Sequence, residues 1–418
     1  MYKIYLKQAW KMLKDDKVIS IISILGTALA ITIVMVMILT KEMKTANIAP
    51  EVNKTRTMYI NYSSETQKNR NNVTGNPVSG TLYKQYLSQL KTPEAVSLQA
   101  KGITHIHSVE NNKDIGVNVI STDPTFWNIY KFTFLEGKPF SEEDFQSGIP
   151  SAVISNSTAK KLFGKESPIG KEFSYNDKQY RVCGKVKDIS FLSNNAYAQI
   201  WVPYTSNGKL EDRRYMVTFL AKNAGDFSKI KEEIRESEVR NNTEVDEYTV
   251  EFVGPYSNEE LLMVGKYSYG KDPDLKKDKI KFYLTLSILL LIPAINLSGF
   301  SLFKIISRTS EIGIRKAFGA RKRTILMQVL YENFLTSVIG GIIGLLLSYS
   351  VVVLIKDKLF ASDFFHQMPG ENSIPISAFV SPSIFFYVFL VCLILNLLSS
   401  GIPAWRASRL NIADSIKQ

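Results

Sequence analysis

Four stretches without a charged side chain govern what this chain can fold into: Val18 to Thr40, Phe282 to Phe303, Asn333 to Ile355, and a run containing Ile384 to Ile402. At 1.5 Å rise per residue, about 20 residues cross the roughly 30 Å of hydrocarbon in a bilayer. A helix on a soluble core shows charge on its wet side, so runs this long read as membrane spans. Val18 to Thr40 is too long for a signal-peptide core, and its exit, Thr40-Lys41-Glu42, lacks a small-x-small cleavage site, so it reads as an anchor that stays. The fold expected is four transmembrane α-helices with a large mixed α/β extracytoplasmic domain between spans 1 and 2. Its parts are an amphipathic cytoplasmic helix over 1–17, spans over 18–40, 282–303, 333–355 and 383–403, the outer domain over 41–281, a cytoplasmic segment over 304–327, an outer loop over 356–382 and a cytoplasmic tail over 404–418.

Orientation follows from the lysines and arginines in the short segments beside the spans. The first 17 residues hold five (Lys3, Lys7, Lys11, Lys14, Lys17), positions 304 to 323 hold seven and the last 15 hold three (Arg406, Arg409, Lys417), against four acids, Asp15, Asp16, Glu311 and Asp414. The segment 356 to 382 has two basic and three acidic residues and belongs on the other side. Both termini are therefore expected in the cytoplasm, in a multi-pass topology. Lys276, Lys277, Lys279 and Lys281 run against this assignment, but long domains translocate largely regardless of charge. The net charge of +12 comes almost wholly from the cytoplasmic segments. It points to anionic membrane lipid and gives no reason to expect a nucleic-acid partner. The two cysteines, Cys183 and Cys392, fall in different compartments, so the outer domain holds without cross-links.

Residues 2 to 17 place Tyr2, Leu6, Ala9, Trp10 and Leu13 on one helical face and Lys3, Lys7, Lys11 and Lys14 beside it. The pattern suits an amphipathic helix on the inner membrane surface, the alternative being a basic leader that only sets topology. Asn61 to Gly80 is polar and aperiodic and reads as a loop or insertion. Ile115, Val117 and Val119 alternate as in a strand, and Ser141 followed by Glu142, Glu143 and Asp144 reads as a capped helix start. Ala152 to Ser155 reads as a strand, and Ser157 to Phe163 as a helix ended by Gly164. Lys171 to Val186 reads as a hairpin around Asn176-Asp177, and Asp226 to Ser237 as a helix burying Phe227, Ile230 and Ile234.

No motif makes this chain an enzyme by itself. Gly164 to Lys171 resembles a phosphate-binding loop in outline, but its glycines, Gly164 and Gly170, are one position too far apart, and Glu172 follows the lysine where Ser or Thr belongs. If ATP drives this protein, a separate ATPase subunit is expected to bind it, and no cofactor is expected in this chain. His105 and His107 share one face of a strand, but His366 is the only other histidine, so ordinary surface histidines are expected and no metal site. The charge-free spans argue against a proton- or ion-coupled transporter with a site at the bilayer centre. Gly340 and Gly344 have the four-residue spacing that lets helix backbones approach, either within the chain or across a dimer. In Arg308 to Leu326, apolar Ile312, Ile314, Ala317 and Phe318 lie among Arg308, Arg315 and Lys316. Composition leaves open a short docking helix ended by Gly319 or a basic loop that only sets topology.

The stretch Arg308-Thr309-Ser310-Glu311-Ile312-Gly313-Ile314-Arg315-Lys316-Ala317-Phe318-Gly319-Ala320, continuing to Leu326, Glu332 and Gly340 to Gly344, resembles the MacB and FtsX family of ABC transporter permeases. So does Pro403-Ala404-Trp405-Arg406-Ala407-Ser408-Arg409-Leu410. In the outer domain Thr122-Asp123-Pro124, Leu135 to Phe140, Lys161 to Gly164, Pro168 to Lys171 and Tyr180-Arg181-Val182 resemble that family's periplasmic core domain. Phe318, where Leu is usual, and Cys183, where an apolar residue is common, depart from the pattern. The resemblance implies that Arg308, Glu311, Ile312, Gly313, Arg315, Lys316, Ala317, Gly319 and Ala320 contact a cytoplasmic ABC ATPase subunit. It also implies that two permease chains, as a homo- or heterodimer, sit over an ATPase dimer, with a periplasmic adaptor as a further partner. The function implied is mechanotransmission, coupling ATP hydrolysis to movement of the outer domain for export or extraction of a substrate. The alternatives are an FtsX-like regulator of a cell-wall hydrolase and a peptide- or antibiotic-sensing receptor.

Overall fold

Long apolar sequence without charge can satisfy its backbone in hydrocarbon only by hydrogen-bonding along its own axis, and these stretches are helical here. The structure, a computed structural model, describes residues 2–67, 73–109, 113–208, 210, 214–263, 275–307, 314, 317–319, 321–359 and 382–408. The chain divides into two units. The first, built from residues 1–42, 277–359 and 376–418, contains helices α1 (Tyr2–Asp15), most of α2 (Lys17–Thr45) and α3 (Leu275–Ser307), α4 (Lys322–Leu359) and α5 (Pro382–Ser408). Among the described residues three helical segments, Lys17–Thr45, Lys322–Lys356 and Pro382–Gly401, are long and apolar enough to cross a membrane. The stretch 282–303 lies inside α3, which runs for 33 residues.

This unit draws small polar residues into its interior beside buried apolar ones such as Ile31, Val34, Met35 and Val352. On α2 the large apolar residues Val18, Leu25 and Leu29 are 71%, 55% and 61% exposed, whereas Ser20, Ser23, Thr27 and Thr32 are buried. The same holds on α4, where Leu346 and Leu354 face outward and Thr336, Ser337 and Ser348 inward, and on α5, where Asn396 and Ser400 are buried. Buried hydroxyls return hydrogen bonds to their own helix, Ser23 to the Ile19 carbonyl and Thr32 to that of Ala28, each at 2.8 Å. A bundle in lipid gains nothing by hiding leucine and gains contact by placing small residues between helices. The apolar residues of α1 divide between burial in this unit and exposure. Ala9 and Leu13 are buried while Leu6 and Trp10 are exposed. Tyr5 stacks on Tyr331 of α4 at 5.5 Å, and Met12 accepts from Gln328, so α1 packs along α4.

The second unit, residues 43–276 and 360–375, is mixed α/β. Its eleven-stranded sheet runs in the order Tyr256–Ser257, Thr57–Ile60, Arg214–Leu220, Ala95–Ser108, Asp114–Thr122, Ile200–Pro203, Ser151–Ser155, Lys178–Val186 and Phe134–Gly137, with Val78–Ser79 and Glu172–Tyr175 paired off this path. The Ile200–Pro203 strand is fully buried, pairing parallel to Asp114–Thr122 and antiparallel to Ser151–Ser155. Trp201 there meets Trp127 and Phe132 edge-on in an aromatic core. The hairpin at Asn176-Asp177 turns through φ of 48° and 58°, the pair of positive values a two-residue connection needs. The helix after Ser151–Ser155 spans Asn156–Phe163 and stops at Gly164, φ 72°. Ser141 and Asp144 form a reciprocal capping box at Glu142–Gln146. The helix expected over Asp226 to Ser237 runs Phe227–Glu244, beyond its expected end.

Asn61 to Gly80 is not the loop its composition suggested. Tyr62–Gln67 and Val73–Asn76 pair antiparallel, and Tyr248–Val253 adds a third strand. A polar strand is stable here because its ladder is completed by a distant segment, with Ser63 and Ser64 buried against it.

Asp123, in the Thr122-Asp123-Pro124 motif, shows why a short polar motif matters to such a domain. Its buried carboxylate accepts from the Leu98 N–H at 2.7 Å, Ser97 Oγ at 3.0 Å and the Phe126 N–H at 3.1 Å, tying the first long strand to the turn after the second. Burial pushes this carboxyl up to about 6, the hydrogen bonds pulling the other way. The folded value lies above an unfolded value of about 3.9, so the contribution to stability is largest below pH 4 and declines as pH rises through 6. Asp123→Asn puts an amide N–H against the Leu98 N–H and lowers stability at neutral pH by about 1–3 kcal/mol. The gap between wild type and variant widens from pH 7.5 to pH 4.5 in denaturant titrations, and a gap independent of pH would refute the titration of this group.

Candidate functional site

Three places in the molecule join membrane helices to something else. The first is the outer end of α2, whose last residues, from Met43 on, belong to the outer unit. A helix ends with carbonyls that have no intrahelical partner. That of Lys44 receives Lys54 Nζ at 3.4 Å and Asn258 Nδ2 at 3.2 Å, from segments distant in sequence. Lys54 also donates to the Leu192 carbonyl at 2.6 Å and pairs with Glu51 Oε2 at 3.3 Å. The other Glu51 oxygen accepts the backbone N–H groups of Asn195 and Ala196 at 2.7 and 2.9 Å. Both side chains of the pair are 1% exposed. The ammonium thus has two carbonyl acceptors and an ion-pair partner, while one carboxylate oxygen takes two N–H donors and the other, Oε2, meets the ammonium by charge without a hydrogen bond. Glu51 and Lys54 were not legible as a site, because Glu-x-x-Lys three apart is an ordinary surface pattern and their burial depends on the Leu192–Ala196 loop.

The second place is the packing of α4. A Cβ on Gly344 would lie 2.7 Å from the Ala28 carbonyl oxygen and 3.0 Å from Ile31 Cβ of α2, and one on Gly340 would lie 2.9 Å from Thr27 Cβ and 3.0 Å from the Ile24 oxygen. Thr32 Oγ1 donates to the Gly344 carbonyl at 3.1 Å, and Asn396 of α5 donates to Ser337 at 3.2 Å. The two glycines therefore face α2 of the same chain. Gly341 faces α5, where a Cβ would meet the Phe389 ring at 2.4 Å. Glu332, which carried part of the family resemblance, is only 4% exposed near the start of the third charge-free stretch, a burial the sequence did not show.

The third place is the segment between α3 and α4. Arg308, Glu311, Ile312, Gly313, Arg315, Lys316 and Ala320 lie outside the described residues. Ala317 and Gly319 are described and exposed. The Phe318 N–H donates to the Ile314 carbonyl at 3.1 Å, one helical turn, and Gly319 then takes φ 89°, the left-handed conformation that stops a helix at low cost. Phe318 is 89% exposed and Ile314 52%.

Elsewhere, His105 Nδ1 lies 3.1 Å and His107 Nδ1 3.8 Å from Asp114 Oδ1, all three side chains about half exposed. Cys183 donates to the Ala152 carbonyl at 3.3 Å, and burial pushes its thiol up to about 12, so it stays protonated and unreactive at neutral pH.

Residues 20–237 match the MacB-like periplasmic core domain and residues 283–412 the FtsX-like permease C-terminal. Among curated relatives, the macrolide export ATP-binding/permease protein MacB of Escherichia coli K12 is 23% identical over 422 residues, covering 98% of this chain and 60% of its own length. The protein of the same name from Bdellovibrio bacteriovorus is 27% identical over 280 residues, covering 66% of this chain and 41% of its own. Among solved structures, the periplasmic region of MacB from Actinobacillus actinomycetemcomitans aligns at 16% identity and a TM-score of 0.35, covering 48% of this chain and 89% of that one. The chain thus spans about 60% of the length of the first of these relatives.

Proposed function

This chain belongs to the MacB/FtsX-like family of ABC transporter permeases, a membrane-embedded protein with a periplasmic α/β domain, and from that premise we propose that it works by mechanotransmission. In this reading α2, α3, α4 and α5 are four spans with both chain termini in the cytoplasm. An ATPase partner docks on the 308–320 segment, and two permease chains work side by side. Nucleotide binding and hydrolysis below change the packing of the helices, and the outer domain moves to export or extract a substrate, as the names of the MacB relatives state for macrolides. The observation that supports this most directly is the grip on Lys44. The carbonyl end of α2 is held within the outer unit by a buried cation and an asparagine, so in this reading displacement of that helix end is passed to the segments carrying Lys54 and Asn258. At the other end, Phe318 offers an apolar knob with charged neighbours in sequence, suited to insertion into a partner's surface.

The test is co-purification of the detergent-solubilised full chain from its native host, with ATPase activity assayed. An ATPase subunit is expected with wild type and lost with both Phe318→Asp and Glu311→Lys/Arg315→Glu, a drop in recovery of at least about tenfold if Phe318 acts as a buried anchor worth ~2 kcal/mol. No ATPase with any form, or full recovery with both variants, would overturn the docking role.

A further inference from the structure

At one end of α4 and α5 a groove of about 930 Å³ opens between the two helices. Its walls are Leu326, Leu330 and Phe334, one turn apart on α4, and Leu398, Gly401 and Trp405 on α5. Such a volume is at the upper end of what small-molecule sites provide, and this one is lined almost wholly by carbon. Lys322 precedes Leu326 by one turn and Arg323 precedes it by three residues, so both lie above the α4 wall on the same side of the helix. Side chains of a helix lean toward its N-terminus, which carries these cations to the mouth of the groove. Arg321, Lys322 and Arg323 are all exposed, and the nearest acid in the described sequence after them, Glu332, is buried. The groove is therefore apolar along its length and cationic at its mouth, the pattern of one acyl chain below one phosphate. A second copy of this chain would bring two like-charged triplets together, which counts against it as the occupant.

We propose that this groove seats an acyl chain of an anionic phospholipid from the inner leaflet, with the headgroup phosphate on Arg321, Lys322 and Arg323. The inference rests on the cytoplasmic placement of these helix ends given above. Trp405, about half exposed at the same mouth, is a residue type that prefers the level of the headgroups.

Native mass spectrometry of the detergent-solubilised full chain, offered phosphatidylglycerol and phosphatidylcholine together, tests this. Wild type is expected to retain phosphatidylglycerol preferentially, and the preference to fall about fivefold for each basic residue neutralised in an Arg321→Gln/Lys322→Gln/Arg323→Gln series. Gly401→Phe fills the groove from a position where an added Cβ meets nothing within 4 Å, so it leaves the fold intact while removing lipid retention. Equal retention of the two lipids by wild type, or retention unchanged in both the charge series and Gly401→Phe, would overturn the site. So would a Gly401→Phe chain that shifts from dimer to monomer while keeping its lipid, which makes the groove a surface between copies. ATPase co-purification is read separately. A wild-type chain that captures the ATPase yet shows no lipid preference overturns the groove alone, and one that shows the preference without the ATPase overturns only the docking role.

Discussion

Lys54→Met is expected to lower the unfolding free energy of the outer domain by about 3–5 kcal/mol, because it leaves the Glu51 carboxylate buried beside an apolar side chain. The loss is one of charge balance more than of packing, since Met matches the lysine stem in length. The double variant Glu51→Gln/Lys54→Met separates the two. Gln keeps a carbonyl oxygen for the Asn195 and Ala196 N–H groups and removes the unpaired charge, so it recovers part of the stability lost by the single change. Glu51→Leu/Lys54→Met strands both N–H groups and recovers less. Denaturant titration of the full chain, followed by fluorescence of the buried Trp201 and its neighbours, orders the three. If Lys54→Met unfolds with the wild-type midpoint, the pair is not the clamp described here.

Gly344→Leu is the second large effect. With a Cβ already at 2.7 Å from the Ala28 backbone oxygen, the added side chain forces α4 away from α2 and breaks the Thr32 hydrogen bond to Gly344. Overpacking of this kind costs about 1–3 kcal/mol, and the contact at risk is backbone, which cannot rotate aside. Gly340→Leu acts on the same interface one turn away, so the double variant is expected to depart from additivity. Gly26→Leu is the control, since a Cβ on that glycine of α2 meets nothing within 4 Å. Thermal aggregation of the detergent-solubilised chain, followed by size exclusion, should fall to lower temperature for Gly344→Leu and stay in place for Gly26→Leu. Equal behaviour of the two would refute the packing role.

The membrane helices were legible because hydrocarbon imposes one rule, absence of charge over about 20 residues, that needs no knowledge of the partner helix. The hairpin at Asn176-Asp177, the cap at Ser141 and the stop at Gly164 were legible for a similar reason, each being a local backbone requirement met by its own residue types. What failed was anything decided at a distance. Tyr62–Gln67 is a strand because Tyr248–Val253 lies beside it, and nothing in Tyr-Ser-Ser-Glu-Thr-Gln announces that. That α1 packs along α4, through Tyr5 on Tyr331 and Met12 on Gln328, is likewise not written in its own sequence. The glycine spacing in α4 was read as a packing signal, yet its partner, Ala28 and Ile31 on α2, is a fact of three dimensions. Glu51 and Lys54 combine both difficulties, with a common local pattern whose meaning is set by Leu192 and Asn195.

The interior faces of α2, α4 and α5 carry Ser20, Ser23, Thr27, Thr32, Thr336, Ser337, Ser348, Asn396 and Ser400, with glycine between them. Large side chains interlocked like gear teeth would have to disengage before one helix could travel along another. Short hydroxyl-bearing residues leave shallow stretches between the buried Ile31, Val34, Met35, Val352 and Val388, and on these a donor that leaves one carbonyl finds another a turn further along. Such shallow stretches ease axial travel while keeping the helices in contact, and under the mechanism proposed above a stroke passed through a lipid bilayer needs both.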